Sequence, residues 1–248
     1  MPKTILVPLP EKDFDPTESA IPWKILTENG VKVHFSTPSG QAAKCDDRML
    51  NGTGLGVFAP ILAADPRGRE AYKRMEQNQE FNNPTPWSEI HPNRYDGVLL
   101  PGGHAPGMKP YLESDLLHSR VAEFFMANKP VGAICHGVVL ASRAQHAGIS
   151  VLRGKKTTAL LASQELWAWR LTCLWLGRYY RTYPQTVEAE VKSCLVSPED
   201  FLSGPLPFLR DNPDSLVRGF TVRDGMYLSA RWPGDAHRFA HDFLEMLQ

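Results

Sequence analysis

The chain of 248 residues has no excess of either charge: 27 Lys and Arg face 27 Asp and Glu, giving a formal net charge of zero and an isoelectric point near 7.1. Sequence-wide attraction to a nucleic-acid backbone or an anionic membrane is therefore not expected. Long hydrophobic runs are missing as well. The longest, Val131 to Ala141, is interrupted by Cys135, His136 and Gly137 and falls short of the ~18 apolar residues that a spanning helix needs. The start, Met-Pro-Lys-Thr-Ile-Leu-Val, enters a strand-like run without a charged, apolar, small cleavage pattern, so a cytoplasmic location is expected. Cysteine is scarce, with Cys45, Cys135, Cys173 and Cys194 and no C-x-x-C pair. That excludes a disulfide framework and a zinc knuckle, and leaves four individual thiols. His34, His91 and His146 stand apart from any spaced carboxylates, so neither a metal nor another cofactor is expected. No internal repeat or low-complexity tract is present.

What is present is 42% apolar and 22% charged residues, enough to bury a core and far from the signature of disorder. The length suits one α/β domain over residues 1–248. Strand and helix signals alternate along it. Thr4 to Val7 is a short apolar run. Asp15-Pro16-Thr17-Glu18 then supplies an N-cap, a proline at the first helical position and an acid three residues after the cap, predicting a helix up to Gly30. Val31, Val33 and Phe35 alternate with Lys32 and His34 as a strand. Residues 41–94 are weakly periodic, with one helix expected around Asp65 to Gln79. Asp96 to Leu100 reads as a buried strand ending on Pro101-Gly102-Gly103, and Leu117 to Phe125 as a helix. Pro130 to Ile134 is the next strand and Val138 to Ala147 the next helix. Thr186 to Val191 alternates as a strand, Ser197 to Asp200 is a cap signal, Asp224-Gly225 is a hairpin turn, and Asp235 to Leu247 is an amphipathic helix. This βαβα order predicts a parallel sheet covered on both faces. The aromatic segment Leu166 to Tyr183, with Trp167, Trp169, Trp175, Tyr179, Tyr180 and Tyr183, is expected to form a cap or a subunit contact.

In an open parallel sheet the ligand site lies beyond the carboxyl ends of the strands, so the turns after strands carry the chemistry. Ala133-Ile134-Cys135-His136-Gly137 ends an apolar strand on a cysteine and starts a helix at once. Backbone N–H groups at a helix start can lower a thiol pKa toward the thiolate, and His136 stands beside it, so Cys135 is the candidate nucleophile. Leu100-Pro101-Gly102-Gly103-His104 can aim backbone N–H groups at a developing oxyanion, with the His136 N–H as a second donor. Either glycine of this turn can supply such a donor, and His104 is read as a pocket wall or a surface residue rather than a base.

These residues resemble the ThiJ/PfpI superfamily of class I glutamine amidotransferase-like proteins: Ala-Ile-Cys-His-Gly at 133–137, Pro-Gly-Gly-His upstream of it, and a glutamate after the first strand. The resemblance covers roughly residues 1–155 and the last hairpin and helix. It implies a flavodoxin-like α/β sandwich with a Cys on a strained strand-to-helix turn, and a homodimer. By position it carries over Glu18, Cys135 and His136, and by role the Gly103 backbone. Glu18 has a second reading as the closing acid of a capping box. Ala105-Pro106-Gly107 departs from the glycine that glyoxalase-type members place after Gly-Gly-His. For the acid that orients His136, Glu165 is the nearest match by spacing. The resemblance implies a small-molecule substrate and a glutathione-independent glyoxalase or deglycase reaction. Amide hydrolysis by the same thiolate and a holdase chaperone are the alternatives.

Overall fold

A computed structural model describes residues 2–248. Seven strands form one sheet: β1 (Thr4–Pro8), β2 (Lys32–Thr37), β3 (Thr85–Pro86), β4 (Gly97–Leu100), β5 (Val131–Ile134), β6 (Thr221–Asp224) and β7 (Tyr227–Ala230), in the order β6-β7-β5-β4-β1-β2-β3. All pairings are parallel except that of the β6–β7 hairpin. Strands β4 and β5 are buried along their whole length, as expected for apolar runs covered on both faces. The hairpin pairs Asp224 with Tyr227, so its two-residue turn is Gly225-Met226 and lies one position later than the sequence suggests.

Helices α1 (Pro16–Glu28), α2 (Pro66–Met75) and α7 (Ala236–Glu245) make one layer, and α3 (Asp115–Met126), α4 (Gly137–Arg143) and α6 (Val187–Cys194) the other. In α2 the buried positions Gly68, Ala71, Tyr72 and Met75 fall on one helical stripe, which is the apolar face that holds it to α1. Two expected elements differ. Helix α4 stops at Arg143, after which Gln145–His146 and Ile149–Ser150 pair as a small hairpin. The segment 186–191 is helical, not a strand: the Thr186 hydroxyl caps Ala189 N at 3.3 Å, and Val187 and Val191, four residues apart, share a buried face. Two such valines satisfy the helical period as well as the period of two, and the cap decides between them.

The aromatic segment begins as α5 (Ala162–Leu176) and continues as turns to residue 186. It folds over the 44–63 loops of its own chain. Trp175 Nε1 donates to the Gly54 carbonyl at 2.8 Å and its ring stacks on Phe58, while Tyr180 joins Met49, Leu55, Ala63 and Ala168 in a small second core. Trp167 and Leu174 remain exposed, so burial is confined to the inner face of this cap. Among the described residues no helix is long and apolar enough to cross a membrane.

Candidate active site

Strands β1, β4 and β5 end side by side at the sheet's carboxyl edge, and the segments that follow them deliver Glu18, Gly102 and Cys135 to one place. The chain leaves β1 for β2 on one side while β4 lies on the other, and such a reversal of strand order opens a crevice. Cys135 takes φ of 56°, left-handed for a side-chain-bearing residue. That conformation costs on the order of 1–3 kcal/mol and is typical of a nucleophile elbow. The Cys135 N–H holds the turn by donating to the Ala230 carbonyl at 3.0 Å. Gly137 follows because nothing larger fits: a Cβ there would lie 1.9 Å from the Leu100 carbonyl oxygen.

Glu18 reaches the same point from the first turn of α1. The Asp15 carboxylate caps that helix, accepting from Thr17 N at 2.8 Å and Glu18 N at 3.0 Å. No capping box closes, because the Asp15 N–H donates to the Gly102 carbonyl at 2.9 Å. The Glu18 carboxyl, 2% exposed, instead accepts the Gly102 N–H at 2.9 Å and meets the Cys135 thiol. Gly102, not Gly103, is therefore the glycine that touches this group. A Cβ on Gly102 would come within 2.7 Å of both Glu18 Oε2 and His136 N. The Gly103 N–H has no hydrogen-bond partner among the described residues.

Burial pushes the Glu18 carboxyl well above the usual carboxylate range, and the Asp15 charge adds to this. Burial also pushes the Cys135 thiol up, assisted by the charges of Glu18 and Asp15, while the His136 N–H pulls the other way. The lowering expected from the helix start is thus outweighed: one donor of partial charge does not offset desolvation of a thiolate. A carboxyl that keeps its proton beside the sulfur is the compensating group, since it can donate to the anion when that forms.

His136 is buried, with Nδ1 at 3.5 Å from Cys135 Sγ and Nε2 at 3.2 Å from Thr182 Oγ1. The Thr182 hydroxyl donates to the His104 carbonyl at 2.7 Å. Burial, and secondarily the Arg143 charge, bring the His136 pKa down to about 3. Glu165 does not reach it. Its carboxylate accepts Val187 N at 2.9 Å and pairs with Arg181 at 3.1 Å. Spacing along the chain located a buried acid, but one that ties α5 to α6.

His104 forms part of a wall. Its ring stacks on Tyr180 with centroids 4.4 Å apart and meets Tyr179 edge-on. Burial lowers its pKa to about 3, and Nε2 is buried without a partner among the described residues. On the outer side lies a cleft of about 1000 Å³ lined by His104 and Thr182 together with Arg48, Lys109, Trp175 and Tyr179. The Tyr179 hydroxyl donates to Asp46, and Arg48 lies 4.6 Å over the Tyr179 ring, which fastens the cap across this cleft. Thr182 and the Asp46–Tyr179 tie carry no sequence signal of their own, and the Gly-Gly turn does not say which of its glycines meets Glu18. No cluster of three or more metal-ligating side chains is formed among the described residues.

A cysteine on a strained elbow, at the carboxyl edge of a largely parallel sheet between two helical layers, defines a flavodoxin-like sandwich built around one thiol. Residues 9–201 match the family described as ThiJ/PfpI family-like, and the chain belongs to that family. It is 32% identical over 142 residues to an uncharacterized protein of Schizosaccharomyces pombe, a match covering 56% of this chain and 50% of that one. It is 32% identical over 162 residues to deglycase PfpI of Pyrococcus furiosus, covering 65% of this chain and 68% of that one. The chain spans half or less of the length of the first curated relatives it matches. The crystal structure of glyoxalase III from Candida albicans has the same fold, with a TM-score of 0.68 at 17% identity over 99% of this chain and 98% of that one.

Proposed function

We propose that the chain is a cysteine-dependent enzyme that converts a small 2-oxoaldehyde, such as methylglyoxal, to its 2-hydroxy acid without glutathione. The observation that carries this reading is the convergence of three groups: the Cys135 thiol, a Glu18 carboxyl held protonated by burial, and a neutral His136 with Nδ1 3.5 Å from the sulfur. A pair of proton-transfer groups flanking one nucleophile suits a reaction that moves a proton between adjacent carbons. Cys135 is only 4% exposed, which favours a substrate of a few heavy atoms.

In this reading His136 Nδ1 takes the thiol proton as sulfur adds to the aldehyde carbon, and the carbonyl oxygen receives a proton from Glu18. The resulting hemithioacetal loses its C1 proton to one of the two groups, giving an enediol, and C2 is reprotonated. The product is a thioester, and water releases the 2-hydroxy acid and the free thiol. No electrons leave the substrate. The N–H groups of Gly103 and His136 are the proposed donors to the oxyanion. Deglycase and glyoxalase III among the similar proteins support carbonyl chemistry as the class. The test offers purified protein methylglyoxal without glutathione while lactate is measured, and offers amides while ammonia is measured. Lactate that disappears in Cys135→Ala is the expected result. Ammonia alone would replace this reading with amide hydrolysis, and suppression of client aggregation that survives loss of Cys135 would replace it with a chaperone.

A further inference from the structure

We propose that Thr182 is the positioning residue of the site: its hydroxyl fixes the tautomer and orientation of His136, in the place where an acid would stand in a triad. The proposal rests on the reading of Cys135 and His136 as a nucleophile and its base. Hydrogen-bond bookkeeping carries it. A threonine hydroxyl has one hydrogen to give, and that of Thr182 goes to the His104 carbonyl at 2.7 Å. The 3.2 Å contact with His136 Nε2 must then use a lone pair of Oγ1, so Nε2 carries the hydrogen and donates. Nδ1 is left as a lone-pair acceptor facing Cys135 Sγ at 3.5 Å. A neutral imidazole held in this form is a base aimed at the thiol; the other tautomer would present a hydrogen to it.

Both residues on this path are buried, Thr182 at 8% and His136 at 1% exposure, which limits competition from water. The charged and titratable groups around the ring are Arg143, whose charge disfavours imidazolium, His104 with its ring centroid 6.3 Å away, the Cys135 thiol itself, and Glu18 and Asp15, which act on that sulfur. None of these accepts from Nε2 among the described residues. Glu165 is occupied by Arg181 and Val187 N. A hydroxyl orients the ring without adding a negative charge, so His136 stays neutral with a low pKa, unlike a histidine whose cation is stabilised by a carboxylate. Thr182 lies beyond α5 in the cap, and its own chain supplies the contact without a second copy.

The experiment combines Thr182→Val, which keeps the shape and removes the hydroxyl, with Thr182→Ser, which restores it. Long-range proton–nitrogen correlation spectra of the imidazole read the tautomer, and iodoacetamide alkylation of Cys135 followed by peptide mass reads the base. In wild type and Thr182→Ser, His136 should be protonated at Nε2 with the same pH profile of alkylation. In Thr182→Val the ring should populate the Nδ1-protonated form, and alkylation at neutral pH should slow on the order of tenfold. A wild-type His136 protonated at Nδ1 overturns the proposal whether or not the valine variant folds. So does a folded Thr182→Val with unchanged tautomer and alkylation. Absence of lactate formation in wild type would sink the proposed reaction alone, since neither readout uses that substrate.

Discussion

Glu18 Oε2 accepts the Gly102 backbone N–H at 2.9 Å, which locks the first turn of α1 to the turn after β4 directly beside the Cys135 sulfur. Glu18→Gln keeps an oxygen for this bond and similar volume, so the fold should survive. An amide cannot lend and recover a proton, and turnover on methylglyoxal should fall on the order of 10²–10⁴-fold. The Cys135 thiol titration should shift from that of wild type, because the carboxyl whose retained proton can be donated to the thiolate has been replaced. Turnover near wild type, with an unchanged thiol titration, would reduce Glu18 to an anchor for Gly102 and leave proton transfer to His136.

The local parts of this site are legible in the sequence and the assembled parts are not. Cys135, His136 and Gly137 announce an elbow because strand, thiol and helix start are contiguous. Asp15, Pro16 and Glu18 announce a helix start for the same reason, although only folding shows that the Glu18 carboxyl turns away from its cap. Thr182 stands 46 positions from His136 in a stretch dominated by large aromatics, and no spacing rule marks the one hydroxyl that folds back onto the ring. Glu165 illustrates the converse: it is buried and acidic, yet Arg181 and the start of α6 claim it. In the Gly102-Gly103 pair either glycine can satisfy a tight turn. The choice between them rests on a 2.7 Å gap to Glu18 and His136 that exists only once three strand ends are brought together.

Acidification should expose the buried His136. Its pKa is lowered to about 3 against about 6.5 in an unfolded chain. Below pH 6.5 the unfolded state therefore binds a proton that the folded state refuses, and stability falls with pH. From pH 7 to pH 5 this one group should cost about 2 kcal/mol. Glu18, Asp15 and Glu165, all raised by burial, act in the opposite sense, so the difference between wild type and His136→Asn is the quantity to measure. Urea unfolding at the two pH values should show the wild type losing about 2 kcal/mol more than the variant. Equal losses would mean that His136 is solvated or charged in the folded protein.

Gly137→Ala tests the elbow without touching a reactive group. The added methyl would sit 1.9 Å from the Leu100 backbone oxygen, and backbone cannot swing aside as a flexible side chain can. Helix α4 must shift away from the end of β4, at a cost of about 3 kcal/mol or more. Thermal unfolding should show a large drop in midpoint, and the Cys135 peptide should alkylate with an altered pH profile as the sulfur moves relative to Glu18. A variant as stable as wild type would show that the turn after β5 is looser than this close approach requires.

Tyr179→Phe tests whether the aromatic cap controls access to the thiol. The hydroxyl is held by Asp46, whose carboxyl burial pushes up and this hydrogen bond pulls back down, while the ring packs edge-on against His104 and Tyr180. Phenylalanine keeps the ring contacts and leaves the buried Asp46 with backbone donors alone, Arg48 N at 2.9 Å among them. Loss of a hydrogen bond to a charged acceptor should lower stability by about 1–3 kcal/mol. If opening of the cap limits entry, a bulky aromatic disulfide reagent should reach Cys135 several times faster in the variant, whereas iodoacetamide, small enough to pass the closed wall, should react at nearly the wild-type rate. Parallel acceleration of both reagents would mean that the whole site loosens. Acceleration of neither would assign Tyr179 a purely structural part and place the route to Cys135 elsewhere.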